Sequence, residues 1–121
     1  MSNASRGAYY KLRTKKWLEA RGYTVALMER VMWIPPKEPG GRPIPVKRDQ
    51  LGADLLAVSA TELVLVQVKS VGPKTSPDRL GAIREFAKYT VPAFVQQWVV
   101  IWKPRQREPE IIEPMKGVKG L

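Results

Sequence analysis

The sequence predicts an α/β fold: a mixed β-sheet flanked by helices. Two apolar runs rich in β-branched residues, Gly52-Ala53-Asp54-Leu55-Leu56-Ala57-Val58 and Glu62-Leu63-Val64-Leu65-Val66-Gln67-Val68-Lys69-Ser70, stand back to back about the polar Ser59-Ala60-Thr61. That is the pattern of a β-hairpin. A helical segment precedes the hairpin, and a second helix followed by another apolar strand comes after it. A strand reached through a helical crossover pairs parallel, so the sheet is expected to be mixed, with helices on its faces. The 44% hydrophobic content supports a real core, and a chain of this length suits one domain over residues 1–121.

Each element has its own signal. Residues 5–21 predict a helix, with Tyr10, Thr14, Trp17, Leu18 and Arg21 on one stripe and Lys11, Arg13, Lys15 and Lys16 on the other faces. Gly22 is placed to cap its end. Tyr23 to Ile34 predicts one long strand, with a change of parity near Met28–Arg30 that implies a bulge or bend. Residues 35–50 carry six prolines and glycines before Ile44 and a further proline after it, and they predict a long basic loop with Lys37, Arg42, Lys47 and Arg48. Such a loop suits phosphate contacts or a plain surface excursion.

Beyond the hairpin, Thr75 or Ser76 is expected to cap a second helix with Pro77 at its first position, running to about Tyr89 before Pro92. Gln96 to Lys103 predicts a buried strand on which Trp98 and Trp102 share a face, as core or dimer contacts. Glu108 to Glu113 is expected to add a short edge strand. The first four residues read as a tag or an unordered start, and residues 114–121 as a frayed tail.

Composition narrows the chemistry. There is no cysteine and no histidine. Thiol nucleophiles, cysteine- or histidine-ligated metals and Ser-His-Asp catalysis are therefore excluded, and carboxylates, Lys, Tyr or an oxygen-ligated metal remain. The lack of cysteine fits a reducing cell interior. No apolar run is long enough to span a bilayer, and no secretory leader is recognisable. Lys and Arg number 21 against 11 Asp and Glu, a net charge of +10. A field of that sign favours polyanions, nucleic acid first among them.

The candidate site lies on the hairpin. Asp54 opens the first strand, and Gln67 and Lys69 lie near the end of the second, on one face, with Val68 turned away. A carboxylate, an amide oxygen and an ammonium at one end of a two-stranded ribbon can hold a hard cation and a phosphate together. A glutamine between Val66 and Val68 is costly to bury without partners, so it points to a purpose.

This order of elements, with Asp54 and Gln67-Val68-Lys69 separated by twelve intervening residues, resembles the PD-(D/E)xK nuclease superfamily and its restriction-endonuclease-like fold. Ala53 stands for the usual proline and Gln67 for the second acid. Within that superfamily the chain looks most like the archaeal-type Holliday junction resolvases, which also occur in phages. Arg6-Gly7 at the first helix, Gly22-Tyr23 at its end and Lys69-Ser70 carry that likeness.

The resemblance implies an intracellular, metal-dependent endonuclease that resolves branched double-stranded DNA in recombination and repair, acting as a homodimer. Asp54, the Gln67 side chain and the Val68 carbonyl would hold Mg2+, with Mn2+ as substitute. Lys69 would position the attacking water and offset charge on the phosphate. Lys11, Arg13, Lys15, Lys16, Arg42, Lys47 and Arg48 would contact DNA. One departure is Lys11, which stands where the family carries a metal-binding glutamate on the first helix; the other is Gln67. Both leave room for a catalytically inactive basic DNA-binding module, and the motif alone also admits a nicking, restriction or repair nuclease of the same fold.

Overall fold

The structure is a computed structural model that describes the backbone of residues 3–49 and 51–113, and the side chains of these outside 3–4, 29–34, 44 and 46–49. The chain runs α1 (Asn3–Ala20), β1 (Thr24–Leu27), β2 (Glu29–Ile34), β3 (Ile44–Asp49), β4 (Leu55–Val58), β5 (Leu63–Ser70), α2 (Arg79–Ala87), β6 (Val95–Trp102) and β7 (Glu110–Ile112). Five strands form one sheet in the order β1-β4-β5-β6-β7, and β2 and β3 form a separate two-stranded ribbon. Among the described residues only β5 and β6 pair parallel; β1–β4, β4–β5 and β6–β7 are antiparallel. The sheet is thus mixed, and the parallel pair is the one joined through α2, as the order of elements requires.

Helix α1 ends where glycine permits it. Gly22 takes φ +96°, its N–H donates to the Glu19 carbonyl, and the Tyr23 N–H reaches back to the Leu18 carbonyl at 3.1 Å. This 6→1 and 5→2 pair is a Schellman cap, and it satisfies carbonyls the helix end would otherwise leave open. The expected stripe is the buried one: Thr14 and Leu18 are fully buried, and Tyr10 and Trp17 pack against the same core. Arg21 instead lies over the Trp17 ring at 4.1 Å.

Alternation along the strands divides the core in two. Leu55, Ala57, Val64, Val66, Trp98, Val100 and Trp102 face α1. Ala53, Leu65, Val99 and Ile101 face α2 with its Ala82 and Phe86. Trp98 and Trp102 therefore share the α1 face, as core residues. Trp102 donates its indole N–H to the Thr14 hydroxyl at 2.8 Å, and Thr14 in turn donates to the Tyr10 carbonyl at 2.7 Å. A buried hydroxyl and a buried indole are each satisfied by this chain of bonds. Tyr23 packs edge-on against Trp98; burial, with Glu62 nearby, pushes its phenol pKa above the usual value.

Three expectations are corrected. The single strand from Tyr23 to Ile34 is two strands in different sheets. The break follows Met28, whose N–H donates to the carbonyl of Asp54, the next residue in the β1–β4 register, at 2.9 Å; beyond it the chain pairs with β3 instead. Secondly, the expected loop 35–50 contains β3, paired residue for residue with β2 from Glu29 opposite Asp49 to Ile34 opposite Ile44. Pro45 is compatible with this because a two-stranded ribbon consists of edges, where a missing donor can face outward. Thirdly, α2 is capped by Asp78, whose carboxylate accepts the Gly81 N–H at 2.9 Å, and not by Thr75 or Ser76. Gly81 leaves room for it: a Cβ there would lie 2.2 Å from Asp78 Oδ2. The expected edge strand near the C-terminus is present as β7. The tail 114–121 and residues 1–2 lie outside the described residues, and α1 already begins at Asn3.

Candidate active site

Asp54 is set by a bend at the entrance to β4. Leu51 and Gly52 both have positive φ, 54° and 70°. The ring of Tyr89 lies against Gly52, so closely that a Cβ there would meet it at 2.7 Å. Glycine therefore serves both the backbone conformation and the close approach. The chain then enters the sheet with an irregular register. Leu55 is the partner of Val66, yet the Asp54 N–H also donates to the Val66 carbonyl, at 2.8 Å. Asp54 and Leu55 thus both address one residue of β5, the arrangement of a β-bulge, which re-aims a side chain.

The re-aimed carboxylate is buried, with 4% of the residue exposed. Its Oδ2 accepts the Val68 N–H at 2.7 Å. Asp54 is therefore tied to β5 on both sides of Gln67, to Val66 and to Val68. In an extended strand a residue's N–H and C=O point the same way, so the Val68 carbonyl also faces the Asp54 strand. Gln67 is itself buried, and its Oε1 has no hydrogen-bond partner among the described residues. Gln97 Oε1 shares that condition, but its amide nitrogen is anchored to the Phe86 carbonyl at 3.2 Å inside the α2 core. An unsatisfied buried acceptor calls for a donor or a cation.

Lys11 supplies a cation to Asp54. Its ammonium lies 3.3 Å from Asp54 Oδ1, and its side chain is about three-quarters buried. The position that carries a glutamate in the resembling family thus places a positive charge against the motif's one acid. The carboxylate is neutralised from within, at low local dielectric, where the attraction is strongest.

Lys69 is directed to α2. Its ammonium lies 3.8 Å from Glu85 Oε2, and both side chains are substantially exposed. An exposed pair at that distance is worth about 0–1 kcal/mol, so Lys69 is held loosely and can turn toward a phosphate at little cost. Lys69 also lines a cavity of about 370 Å³ with Ser70, Asp78 and Glu85. Asp54 and Lys11 are thus brought together, whereas Lys69 is drawn to Glu85. Glu85 carries no sequence signal of its own, because the helix that bears it is placed only by the crossover.

The expected DNA contacts divide. Arg13 donates to the Gln106 carbonyl at 2.9 Å and lies over the Trp102 ring at 4.4 Å, so it is engaged in holding the segment after β6. Lys15 pairs with Glu19 at 3.7 Å on the helix surface. Lys16, Lys37 and Arg42 are exposed. The side chains of Lys47 and Arg48 lie outside the described residues. Among the described residues no three acids gather into a metal cluster, and no helix is long and apolar enough to cross a membrane.

The donor set nonetheless fits a hard cation in kind: one buried carboxylate, one orphaned amide oxygen and a neighbouring backbone carbonyl are all oxygen ligands. The fit is that of a weak site, since only one ligand is charged.

Searches against protein-family models and against curated protein sequences return no match. Solved structures do match. Hjc, a Holliday junction resolvase from the archaeal hyperthermophile Archaeoglobus fulgidus, superposes with a TM-score of 0.53 over 91% of this chain and 74% of its own, at 14% identity. The protein SSO0001 gives a TM-score of 0.50 at 13% identity; 91% of this chain is covered, which spans half of that protein's length. At such identities the likeness is one of fold. The mixed sheet with its two helices has the restriction-endonuclease-like architecture, and the resemblance to archaeal-type resolvases holds at that level.

Proposed function

We propose that the protein is a metal-dependent, structure-selective endonuclease that cuts four-way DNA junctions. One observation carries the reading: Asp54 is buried and bonded to β5 on either side of Gln67, whose amide oxygen is buried without a partner. The resolvase-like fold and the +10 charge support it. Asp54, Gln67 Oε1 and the Val68 carbonyl would hold Mg2+ or Mn2+. A divalent cation there would supply Lewis-acid stabilisation of charge developing on the phosphodiester.

The chain's own groups have distinct tasks. Asp54 holds its carboxylate in place through the Val68 N–H. Lys69, loosely held by Glu85, turns to the scissile phosphate and offsets its charge. Lys11 neutralises Asp54 in the free protein and is the nearest cation to a phosphate arriving at that carboxylate. Junction choice would come from the shape of a basic surface and not from reading bases. Two symmetric cuts require two symmetric sites, which a twofold homodimer provides.

Lys11 favours a second reading, a basic module that binds DNA without cutting it, because its ammonium already occupies one side of the acid. The two readings separate on a metal titration of junction cleavage. If the site is a working one short of a charge, Gln67→Glu should lower the Mg2+ needed for half-maximal cleavage by about tenfold, the effect of ~1.4 kcal/mol gained in binding. Loss of all cleavage by Gln67→Glu at every Mg2+ concentration would show a site adapted to the amide.

A further inference from the structure

A second cationic feature lies at the same end of the sheet as Asp54. β4 runs antiparallel to β5, and β5 parallel to β6. The start of β4, the end of β5 at Lys69 and Ser70, and the end of β6 at Trp102 therefore emerge together. Just past that end, the turn after β5 and the segment after β6 enclose an open cavity of about 500 Å³, lined by Pro73, Lys103, Pro104, Arg105 and Gln106. Among the described residues its charged lining is cationic only. The nearest acid in the sequence, Glu108, is taken up by Arg21 at 2.9 Å.

The cavity is built, not incidental. The Val71 N–H donates to the Trp102 carbonyl at 3.1 Å and ties the turn to β6. Arg13 fastens the Gln106 carbonyl to α1. Arg105 has φ +66°, a conformation that glycine adopts freely and other residues adopt against strain. The chain places an arginine there, and that residue lines the cavity. Among the described residues no aromatic ring lines the walls, so a base has nothing there to stack on. A cationic, open, aromatic-free notch suits a backbone phosphate.

We propose that the Lys103–Arg105 notch binds two successive DNA backbone phosphates, one at each cation, that flank the one at Asp54. The inference rests on the nuclease reading above. β4 and β6 are separated by β5 alone, which at ~4.8 Å per strand puts them about 10 Å apart. A DNA strand crossing the sheet end would pass from Asp54 over Lys69 to Lys103 and Arg105.

The test is the salt dependence of four-way junction binding by the full chain, with a chelator present so that cleavage plays no part. Neutralising both cations (K103Q/R105Q) should lower the slope of log K against log salt by about 2 units, at ~0.9 per phosphate contact. The charge-matched pair R84Q/K88Q, exposed on α2 and at its C-cap, should leave it unchanged. R105G, which relieves the strained backbone, should melt at or above the parent temperature while its slope falls by about 0.9. An undiminished slope in K103Q/R105Q overturns this inference alone, and so does an equal fall in R84Q/K88Q. A parent protein that binds no junction overturns the nuclease reading and this inference with it.

Discussion

Replacing Asp54 with alanine is expected to abolish junction cleavage, by a factor on the order of 10³ or more, while junction binding survives. Among the described residues the carboxylate is the only charged ligand in the candidate site, and the Val68 N–H and Lys11 both serve it. Its removal takes away a negative charge that repels DNA, so binding should hold or tighten. The change also leaves the Val68 N–H without its acceptor, which costs about 1–3 kcal/mol of stability. Asp54→Asn keeps an acceptor for that N–H and removes only the charge, so it should lose cleavage with less loss of stability. Parallel gel-shift, cleavage and thermal-melting measurements on both variants check this. Cleavage by Asp54→Ala at the parent rate would place the chemistry elsewhere.

The second large effect concerns Trp102. The ring is fully buried, bonded to Thr14, stacked near Tyr10 and covered by Arg13. Trp102→Ala should cost about 3–5 kcal/mol, much of the ~5–15 kcal/mol that holds a domain of this size. The melting midpoint should fall by roughly 10–20 °C. Thr14→Val keeps the volume but strands the indole N–H, and should cost only about 1–3 kcal/mol. A calorimetric series of the two variants should show that order. Equal, small losses would mean that the α1 face is not the principal core.

These two residues mark how much could be read from the chain itself. Trp102 was legible because its strand is apolar, continuous and bounded by Pro104, and because an even spacing from Trp98 puts both rings on one face. Asp54, Gln67 and Lys69 were legible as a motif because alternation and the hairpin place them at one end. The sense in which they are arranged was not. Lys69 turns to Glu85 because α2 packs across that face, and a long-range packing of this kind leaves no local pattern. The ribbon of β2 and β3 was hidden by Pro43 and Pro45, which argue against a central strand and are compatible with an edge. The bend at Met28 was visible as a parity change, yet its consequence was not: the chain leaves the sheet after Met28 and pairs with β3 from Glu29 on. The cap of α2 was missed because Asp78 acts through a glycine three residues on, where Thr75, Ser76 and Pro77 offered an equally regular start.

The central claim, that this fold and this incomplete acid set still cut branched DNA, is tested most directly by one assay. The purified protein is incubated with a labelled synthetic four-way junction, a linear duplex and single strands, each with Mg2+, Mn2+ or chelator. Paired, symmetric cuts near the junction centre in Mg2+ or Mn2+, none with chelator and none in the linear duplex, are the predicted result. Tight junction binding that is indifferent to metal, with every strand left intact, would contradict it.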